Sequence, residues 1–409
     1  MSPGDLRVVI VDDETARAKR WCSSLEAASV PGIQARALEK VEVEELLRTL
    51  NARRLLARKK EDWRKVACEA DNADVLLLDF DLIDLGKQAE FSTGEEVAYL
   101  ARVLSGANVV CVINQFGTNR FDLTMRADVE GRSDLDLGSS QLANPGLWKE
   151  IDHDSGIFRP WSWPVLSAEV GRYRERIDYV AGNRTAPILE TLGFDLTGSK
   201  PTRALPKTSL SWFQKRPEAV TFGGLVSSVS FVHPKDVDWL AADPAQSDRV
   251  AAAALHKWLE RVVLARQDVL VDAPHLISRK PWLLAQPKEA SSWMQVLASG
   301  IPAPSGPLLE KFAFAPKCLL SRAAYWGEDI SESEVAFPKD GWKYEELPDL
   351  VFLEDMSTFA SRDKSLEYDC QLGSTYDLRF VCDTSKLPPG RKDFSPRDVE
   401  YVPAVWLTL

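Results

Sequence analysis

The sequence predicts an α/β fold, a parallel β-sheet with helices on both faces, followed by a larger region of mixed α+β structure. Three short apolar runs carry this prediction: residues 6–11, 74–79 and 109–113 are rich in Val, Ile and Leu, and a polar side chain stands at the end of each. Such runs are typical of strands that are buried on both faces of a parallel sheet. Helical patterns lie between them, which indicates βα units with right-handed crossovers.

The other N-terminal elements follow from local signals. Apolar residues at helical spacing predict helices over 14–28, 42–70 and 93–104. The third helix begins at a capping box, in which Thr93 is followed three residues later by Glu96. Weaker patterns predict two further strands, over 33–38 and 134–138.

The pattern weakens after residue 118, and we place a domain boundary near residue 145. Residues 1–145 are predicted to form the first domain, 146–164 an aromatic connector, and 165–409 a mixed α+β region with room for two subdomains. In the last region, strand patterns cover residues 219–233, 269–271, 350–353, 378–381 and 402–409. Trp161 and Trp163 are expected in the core, with an interface hot spot as the alternative.

The composition indicates a globular protein with an acidic surface. The net charge is −11 over 409 residues. Because a protein that neutralises many phosphates needs a positive surface, binding of DNA or RNA is not expected. The basic segment over residues 53–60 is expected to be a solvated helix face, with a local basic patch for phosphate binding as the alternative.

Cysteine usage and hydropathy indicate a reducing compartment. The six cysteines form no CxxC pair, which argues against a zinc site. No apolar run approaches the ~18 residues of a membrane-spanning helix. The first residues lack the basic and apolar segments of a signal peptide. We therefore expect a cytoplasmic protein without membrane contact, and an oligomer is compatible with the sequence.

Carboxylates stand at the ends of two predicted strands. Asp12 and Asp13 follow the first strand, and Asp79 ends the second. Because the carboxyl ends of parallel strands meet at one edge of the sheet, we expect the three acids to converge, and their mutual repulsion then requires a compensating cation. Oxygen ligands suit Mg²⁺, and a carboxylate beside Mg²⁺ is a suitable nucleophile for phosphoryl transfer.

These residues resemble the receiver domain of two-component response regulators. The resemblance covers residues 5 to about 117, or to 145 with the fifth strand, and it rests on Val-Ile-Val-Asp12-Asp13-Glu14, Leu-Leu-Leu-Asp79-Phe80-Asp81-Leu82 and Val-Cys-Val-Ile-Asn114. It implies a flavodoxin-like fold, phosphorylation on Asp79, and a histidine kinase or phosphotransfer protein as partner. It also implies Mg²⁺ bound by Asp12, Asp13, Asp79 and the backbone carbonyl of Asp81.

Three departures from the family pattern stand out. Asn114 occupies the position where the family has the Thr or Ser that responds to the phosphoryl group, although an amide still donates a hydrogen bond. The Lys that the family carries after its fifth strand is missing, and Arg126, Arg132 and Lys149 are candidate replacements. A longer second helix and a longer loop after the phosphoacceptor predict a modified docking surface.

The main hypothesis is an atypical response regulator that signals, or buffers phosphate, through protein contacts of its C-terminal region, in a bacterial stress or antiphage system. One alternative is a receiver-gated enzyme, whose candidate residues compete with structural loops and turns: Asp152-His153-Asp154, Asp272 with His275, and Glu354-Asp355 with Asp363 and Asp369. The other alternative is a pseudo-receiver scaffold that keeps the fold without being phosphorylated.

Overall fold

The computed structural model describes residues 6–28, 30–82, 93–113, 132–150, 159, 161, 163–213, 216–299, 301, 306–331, 343–368 and 378–383. Its helices are α1 Thr15–Ala27, α2 Lys40–Arg58, α3 Gly94–Leu104, α4 Pro145–Trp148, α5 Leu166–Gly182, α6 Ile188–Thr191, α7 Val237–Ala241, α8 Pro244–Trp258, α9 Ala273–Arg279, α10 Ala290–Ser299 and α11 Gly306–Phe312. Its strands are β1 Leu6–Val11, β2 Ile33–Ala37, β3 Val75–Asp79, β4 Val109–Ile113, β5 Leu135–Leu137, β6 Val271–Asp272, β7 Ala324–Tyr325, β8 Leu350–Leu353, β9 Thr358–Ser361, β10 Ser365–Tyr368 and β11 Arg379–Cys382. Among these residues no helix has both the length and the apolar character needed to cross a membrane.

The first five strands form one parallel sheet in the order β2-β1-β3-β4-β5. This is the flavodoxin-like order of a doubly wound sheet, so the predicted fold class is confirmed. β3 and β4 are buried along their whole length, as expected of central strands that are covered on both faces. The weak patterns over 33–38 and 134–138 are confirmed as β2 and β5.

Helices and aromatic residues cover both faces of this sheet. On one face, α1 and the segment after β5 pack against the strands, and Trp21, Trp148 and Trp163 are each at most 5% exposed. On the other face, α2, α3 and α8 belong to one continuous cluster of buried side chains. The C-terminal region therefore shares a core with the sheet, while the boundary near residue 145 stays a prediction.

The basic segment at the end of α2 binds acidic side chains of the same chain. Arg53 is 1% exposed and donates to Asp71 over 2.8 Å. Arg54 and Arg58 form ion pairs of 2.7 and 2.6 Å with Asp236, which is fully buried. A solvated helix face is therefore the wrong interpretation of these three arginines, because their charges are compensated within the fold.

The predicted helix over 42–70 is too long. It ends at Arg58, and Lys60 has a φ of 60°, in the left-handed region that commonly follows a helix end. The apolar residues beyond this point lie in short 3-10 turns, which are Trp63–Lys65 and Glu69–Asn72.

The predicted strand over 219–233 is wrong. The structure has turns there, and the described residues of this segment form one isolated bridge, between Pro187 and Thr221. Leu225 and Val226 follow Phe222 at distances of three and four residues, and all three side chains are buried against the shared core. This spacing suits a tight helical turn better than a strand.

The C-terminal region has its own mixed sheet, in the order β10-β11-β8-β9, and a two-stranded pair of β6 and β7. β8 and β11 are parallel, whereas the other pairs in these sheets are antiparallel. α9, α10 and α11 pack together with β8 and β9 in a separate cluster of buried side chains. The predicted α+β character of this region is confirmed, and residues 402–409 lie outside the described part of the chain.

Lys257 of α8 is a buried amine at the junction with the sheet, and it is 4% exposed. Burial and the nearby guanidinium groups of Arg261 and Arg102 lower the pKa of Lys257 to about 7, while Asp134 and Glu95 act in the opposite direction. The ordinary pKa is 10.5. The unfolded chain therefore binds more protons than the folded one between about pH 7 and 10.5, so this group makes stability rise with pH in that window.

We expect the Lys257→Met variant to lose this dependence. In the wild type, the amine contributes a slope of up to about 1.4 kcal/mol per pH unit to the free energy of unfolding. Urea unfolding at several pH values between 7 and 10 measures the slope, with the exposed Lys207→Met as the matched control. Identical slopes for wild type and Lys257→Met would show that the amine titrates normally in the folded protein.

Candidate metal and phosphoacceptor site

The acidic residues at the ends of β1 and β3 lie together at the carboxyl edge of the sheet. β1 and β3 are neighbours, with Val11 opposite Leu78, so the residues that follow them are adjacent. Asp12, Asp13 and Asp79 each offer a carboxylate oxygen, and these three oxygens lie within 4.8 Å of one another. The predicted convergence of the three acids is confirmed.

The three carboxylates of this cluster are largely buried. Asp12 and Asp79 are fully buried, and the side chain of Asp13 is 7% exposed. Burial and the negative charge of Asp12 raise the pKa of Asp79 to about 7. A cation is therefore needed to keep the three groups ionised together.

Arg17, in the first turns of α1, supplies part of this compensation. Its Nε donates to Asp12 over 2.6 Å, and its Nη2 lies 2.7 Å from Asp12, 2.9 Å from Asp13 and 2.7 Å from Asp79. Hydrogen bonding to Asp12 raises the pKa of Arg17 above its ordinary value. Arg17 is not among the site residues predicted from the sequence, although its place four residues after Asp13, at the start of a helix, is the available signal.

One carboxylate oxygen of Asp79 has no hydrogen-bond partner within the described part of the chain. Its Oδ2 accepts from Arg17, whereas its Oδ1 is buried and has no partner in the described structure. The start of α3 packs directly against the backbone of Asp79. The approach is so close that a Cβ at Gly94 would lie 2.0 Å from the main-chain oxygen of Asp79. The N–H of Gly94 donates to the carbonyl of Phe80 over 2.8 Å and fixes this approach.

The donor set fits a hard divalent cation. Three carboxylates and one guanidinium leave a formal charge of −2 in the cluster, and the unpartnered Oδ1 of Asp79 is an available hard ligand. Carboxylate oxygens suit several such cations, and nothing in the cluster singles out Mg²⁺. Asp81 forms an isolated bridge with Thr93, and its carbonyl as a ligand stays a prediction. Asn114 lies outside the described residues.

The candidate replacements for the missing Lys do not join this cluster where they are described. Arg132 stacks its guanidinium 5.5 Å from the ring of Tyr99, and its backbone N–H donates to Glu95. Lys149 is exposed, and Arg126 lies outside the described residues. Among the residues that the structure describes, the cation that contacts Asp79 is Arg17.

Asp272 and His275 lie in a buried polar network of the C-terminal region. Asp272 is the N-cap residue of α9, and it accepts hydrogen bonds from the side chains of Trp161, Gln267, His275 and Arg322. The other ring nitrogen of His275 lies 3.4 Å from Glu354. Each ring nitrogen therefore faces a carboxylate, which supports the structural interpretation of this pair.

Glu354 and Asp355 are also held by protein groups. Glu354 pairs with Arg379, which together with His275 lowers the pKa of this buried carboxyl to about 2. Asp355 accepts from the backbone N–H of Cys382. Asp363 is exposed, and Asp369 and Asp152-His153-Asp154 lie outside the described residues. Within the described ranges, the cluster at the edge of the N-terminal sheet is the one acidic group arranged to hold a metal ion.

Comparison with known proteins adds no relative. No protein-family model, no curated protein and no solved structure matches this chain. We therefore infer the function from the flavodoxin-like strand order and from the side chains gathered at the carboxyl edge of the sheet.

Proposed function

We propose that this protein is an atypical response regulator that accepts a phosphoryl group on Asp79 in a Mg²⁺-dependent reaction. The proposal is supported by the convergence of three carboxylates at a sheet edge, one of which, Asp79, has a buried oxygen without a hydrogen-bond partner among the described residues. Such an oxygen would not stabilise a purely structural ion cluster, because a buried polar atom without a hydrogen bond lowers the free energy of unfolding.

The chemistry needs a nucleophile and neutralisation of the transferred charge. An oxygen of Asp79 attacks phosphorus, an O–P bond forms, and the P–N bond of a donor phosphohistidine breaks. The imidazole nitrogen leaves with the electron pair and takes up a proton. Mg²⁺ held by Asp12, Asp13 and Asp79 would neutralise charge on the transferred group. The donor is accordingly a histidine kinase or a phosphotransfer protein.

The output is proposed to pass through α3 to the C-terminal region, and from there to a protein partner. α3 begins at the backbone of Asp79, and its Tyr99 hydroxyl donates to Asp236 over 2.9 Å. Phosphorylation adds about −1.5 to −2 charges, which is enough to bias a surface between two arrangements. A cytoplasmic location and a role in bacterial stress or antiphage signalling belong to the same proposal.

A second candidate function is a scaffold that is never phosphorylated. Arg17 favours it, because one guanidinium contacts all three carboxylates and already supplies a positive charge to them. In that case the cluster is a structural joint between α1 and the sheet, and the protein acts through its contacts alone.

Acetyl phosphate separates the two candidates. The full-length protein is incubated with acetyl phosphate and Mg²⁺, and its intact mass is measured. We expect the wild type to gain one phosphoryl group and Asp79→Asn to gain none. Asp74→Asn is the matched control, because Asp74 lies just before the same strand and pairs with Arg174 away from the cluster. An unmodified wild type would contradict the proposal and favour the scaffold.

A further inference from the structure

Arg17 occupies the cluster in which the proposed reaction takes place. Its guanidinium forms four hydrogen bonds of 2.6–2.9 Å with the three carboxylates, and its side chain is 16% exposed. The family resemblance assigns the cation that pairs with the phosphoryl group to a lysine after β5. In this chain the residues after β5 are Gly138 and two serines, none of which carries a positive charge.

We infer that Arg17 is the residue that pairs with the phosphoryl group on Asp79, an inference that rests on the proposed function. Nη2 of Arg17 lies 2.7 Å from Oδ2 of Asp79, so a group bonded to this carboxylate falls within its reach. A guanidinium offers several N–H donors in a planar fork that matches the oxygens of a phosphoryl group. This cation therefore comes from α1 and not from the end of β5.

Contacts with other protein groups fix the position of Arg17. Its Nε is bound by Oδ2 of Asp12, and Oδ1 of Asp12 also accepts from the N–H of Glu14 over 2.8 Å. The guanidinium lies 5.9 Å from the ring of Trp21, and Trp21 is buried against the sheet. A donor held in this way loses little conformational freedom when it pairs with a phosphoryl oxygen.

The formal charge of the cluster is consistent with Arg17 pairing with the phosphoryl group. Three carboxylates and Arg17 carry a formal charge of −2, so one divalent cation brings the cluster to neutrality. Phosphorylation replaces the charge of Asp79 with about −1.5 to −2 charges. Arg17 is then needed next to the added charge, which is where its Nη2 already lies.

Substitutions at Arg17 separate metal binding from phosphorylation. Wild type, Arg17→Lys and Arg17→Gln are compared in full-length protein, with Arg20→Gln as the matched control, because Arg20 lies on the same helix and is 65% exposed. Mg²⁺ alone is titrated by calorimetry, phosphorylation by acetyl phosphate and Mg²⁺ is followed by intact mass, and thermal unfolding checks the fold.

We expect Arg17→Gln to bind Mg²⁺ at least as tightly as the wild type, because a neighbouring positive charge is removed. Its phosphorylation rate should fall at least about tenfold, because a charged donor to the transferred group is lost. Arg17→Lys should recover part of that rate, and Arg20→Gln should behave as the wild type. A structural role alone would not separate the two measurements in this way.

The contrary outcomes are distinct. If Arg17→Gln is phosphorylated at the rate of the wild type, the role of Arg17 is refuted while the proposed function stands. If the wild type is not phosphorylated and Arg17→Gln is, Arg17 blocks the site, and both the inference and the proposed function of the wild type are refuted. If neither is phosphorylated, both are refuted as well.

Discussion

Asp236→Ala is expected to lower the free energy of unfolding by about 3 kcal/mol. Removing one partner of a buried ion pair leaves the other charge uncompensated, and losses of this size follow. Asp236 is fully buried and pairs with the guanidinium groups of Arg54 and Arg58. The hydroxyl of Tyr99 and the indole nitrogen of Trp239 also donate to it, over 2.9 and 3.2 Å. The substitution therefore leaves four donors, from α2, α3 and α7, without their shared acceptor.

The effect should depend on pH. Burial alone would raise the pKa of Asp236, but the hydrogen bonds from Arg58 and Arg54 hold it below the ordinary 3.8. The unfolded chain therefore binds more protons than the folded one below pH 3.8, so the contribution of Asp236 is complete above this pH and declines as the pH falls. Urea unfolding of wild type and variant should show the largest gap near pH 7 and a smaller gap well below pH 3.8.

Asp349→Ala is the control for this prediction. Asp349 forms an ion pair of 3.3 Å with Arg362, but its side chain is 73% exposed. Exposed pairs of this kind contribute less than about 1 kcal/mol. If Asp236→Ala costs no more than Asp349→Ala, the junction between α2 and the C-terminal region is not a buried ionic contact.

Asp236 also bears on how the candidate site contacts the rest of the chain. α3 begins against the backbone of Asp79 and presents Tyr99 to Asp236. Farther along the same helix, the carbonyl of Arg102 accepts from Gln246 of α8 over 2.9 Å. One helix therefore contacts the acidic cluster at its start and the C-terminal region along its length.

The sequence was sufficient for the N-terminal sheet because its signals are local. Each central strand is a short apolar run, and Thr93 is the N-cap residue of α3, because its hydroxyl accepts a hydrogen bond from the N–H of Glu96. The convergence of Asp12, Asp13 and Asp79 follows from the strand ends once a parallel sheet is assumed. The second inference also needs β1 and β3 to be neighbours in the sheet, which the structure shows.

What the sequence did not predict depends on long-range contacts. Arg54 and Asp236 are 182 residues apart, and no periodicity relates them. The apolar segment around Phe222 has the composition of a strand. It is apolar because it packs against α8 and the rest of the shared core, and this tertiary contact cannot be recognised from the local sequence. Arg17 was missed for a different reason: its partner Asp79 is 62 residues away, and the repulsion among the acids suggested an external cation alone.

Gly94→Ala is expected to change the candidate site and the stability of the fold together. A Cβ at this position would lie 2.0 Å from the main-chain oxygen of Asp79 and 2.9 Å from its carbonyl carbon. Backbone atoms at these distances have to move apart. We expect a loss of about 1–3 kcal/mol in the free energy of unfolding, the usual cost of overpacking. Mg²⁺ affinity should fall about tenfold or more, because Asp79 is displaced from its partners.

Gly171→Ala provides the matched control, since Gly171 lies inside α5 and a Cβ there meets nothing within 4 Å. Replacing an unhindered helical glycine by alanine stabilises a helix by about 0.5–1 kcal/mol, so the two variants should change stability in opposite directions. Urea unfolding and Mg²⁺ titration of both proteins test this. If Gly94→Ala kept the stability and Mg²⁺ affinity of the wild type, α3 would not be in close contact with Asp79. The proposed path from the phosphoacceptor to the C-terminal region would then lose its first step.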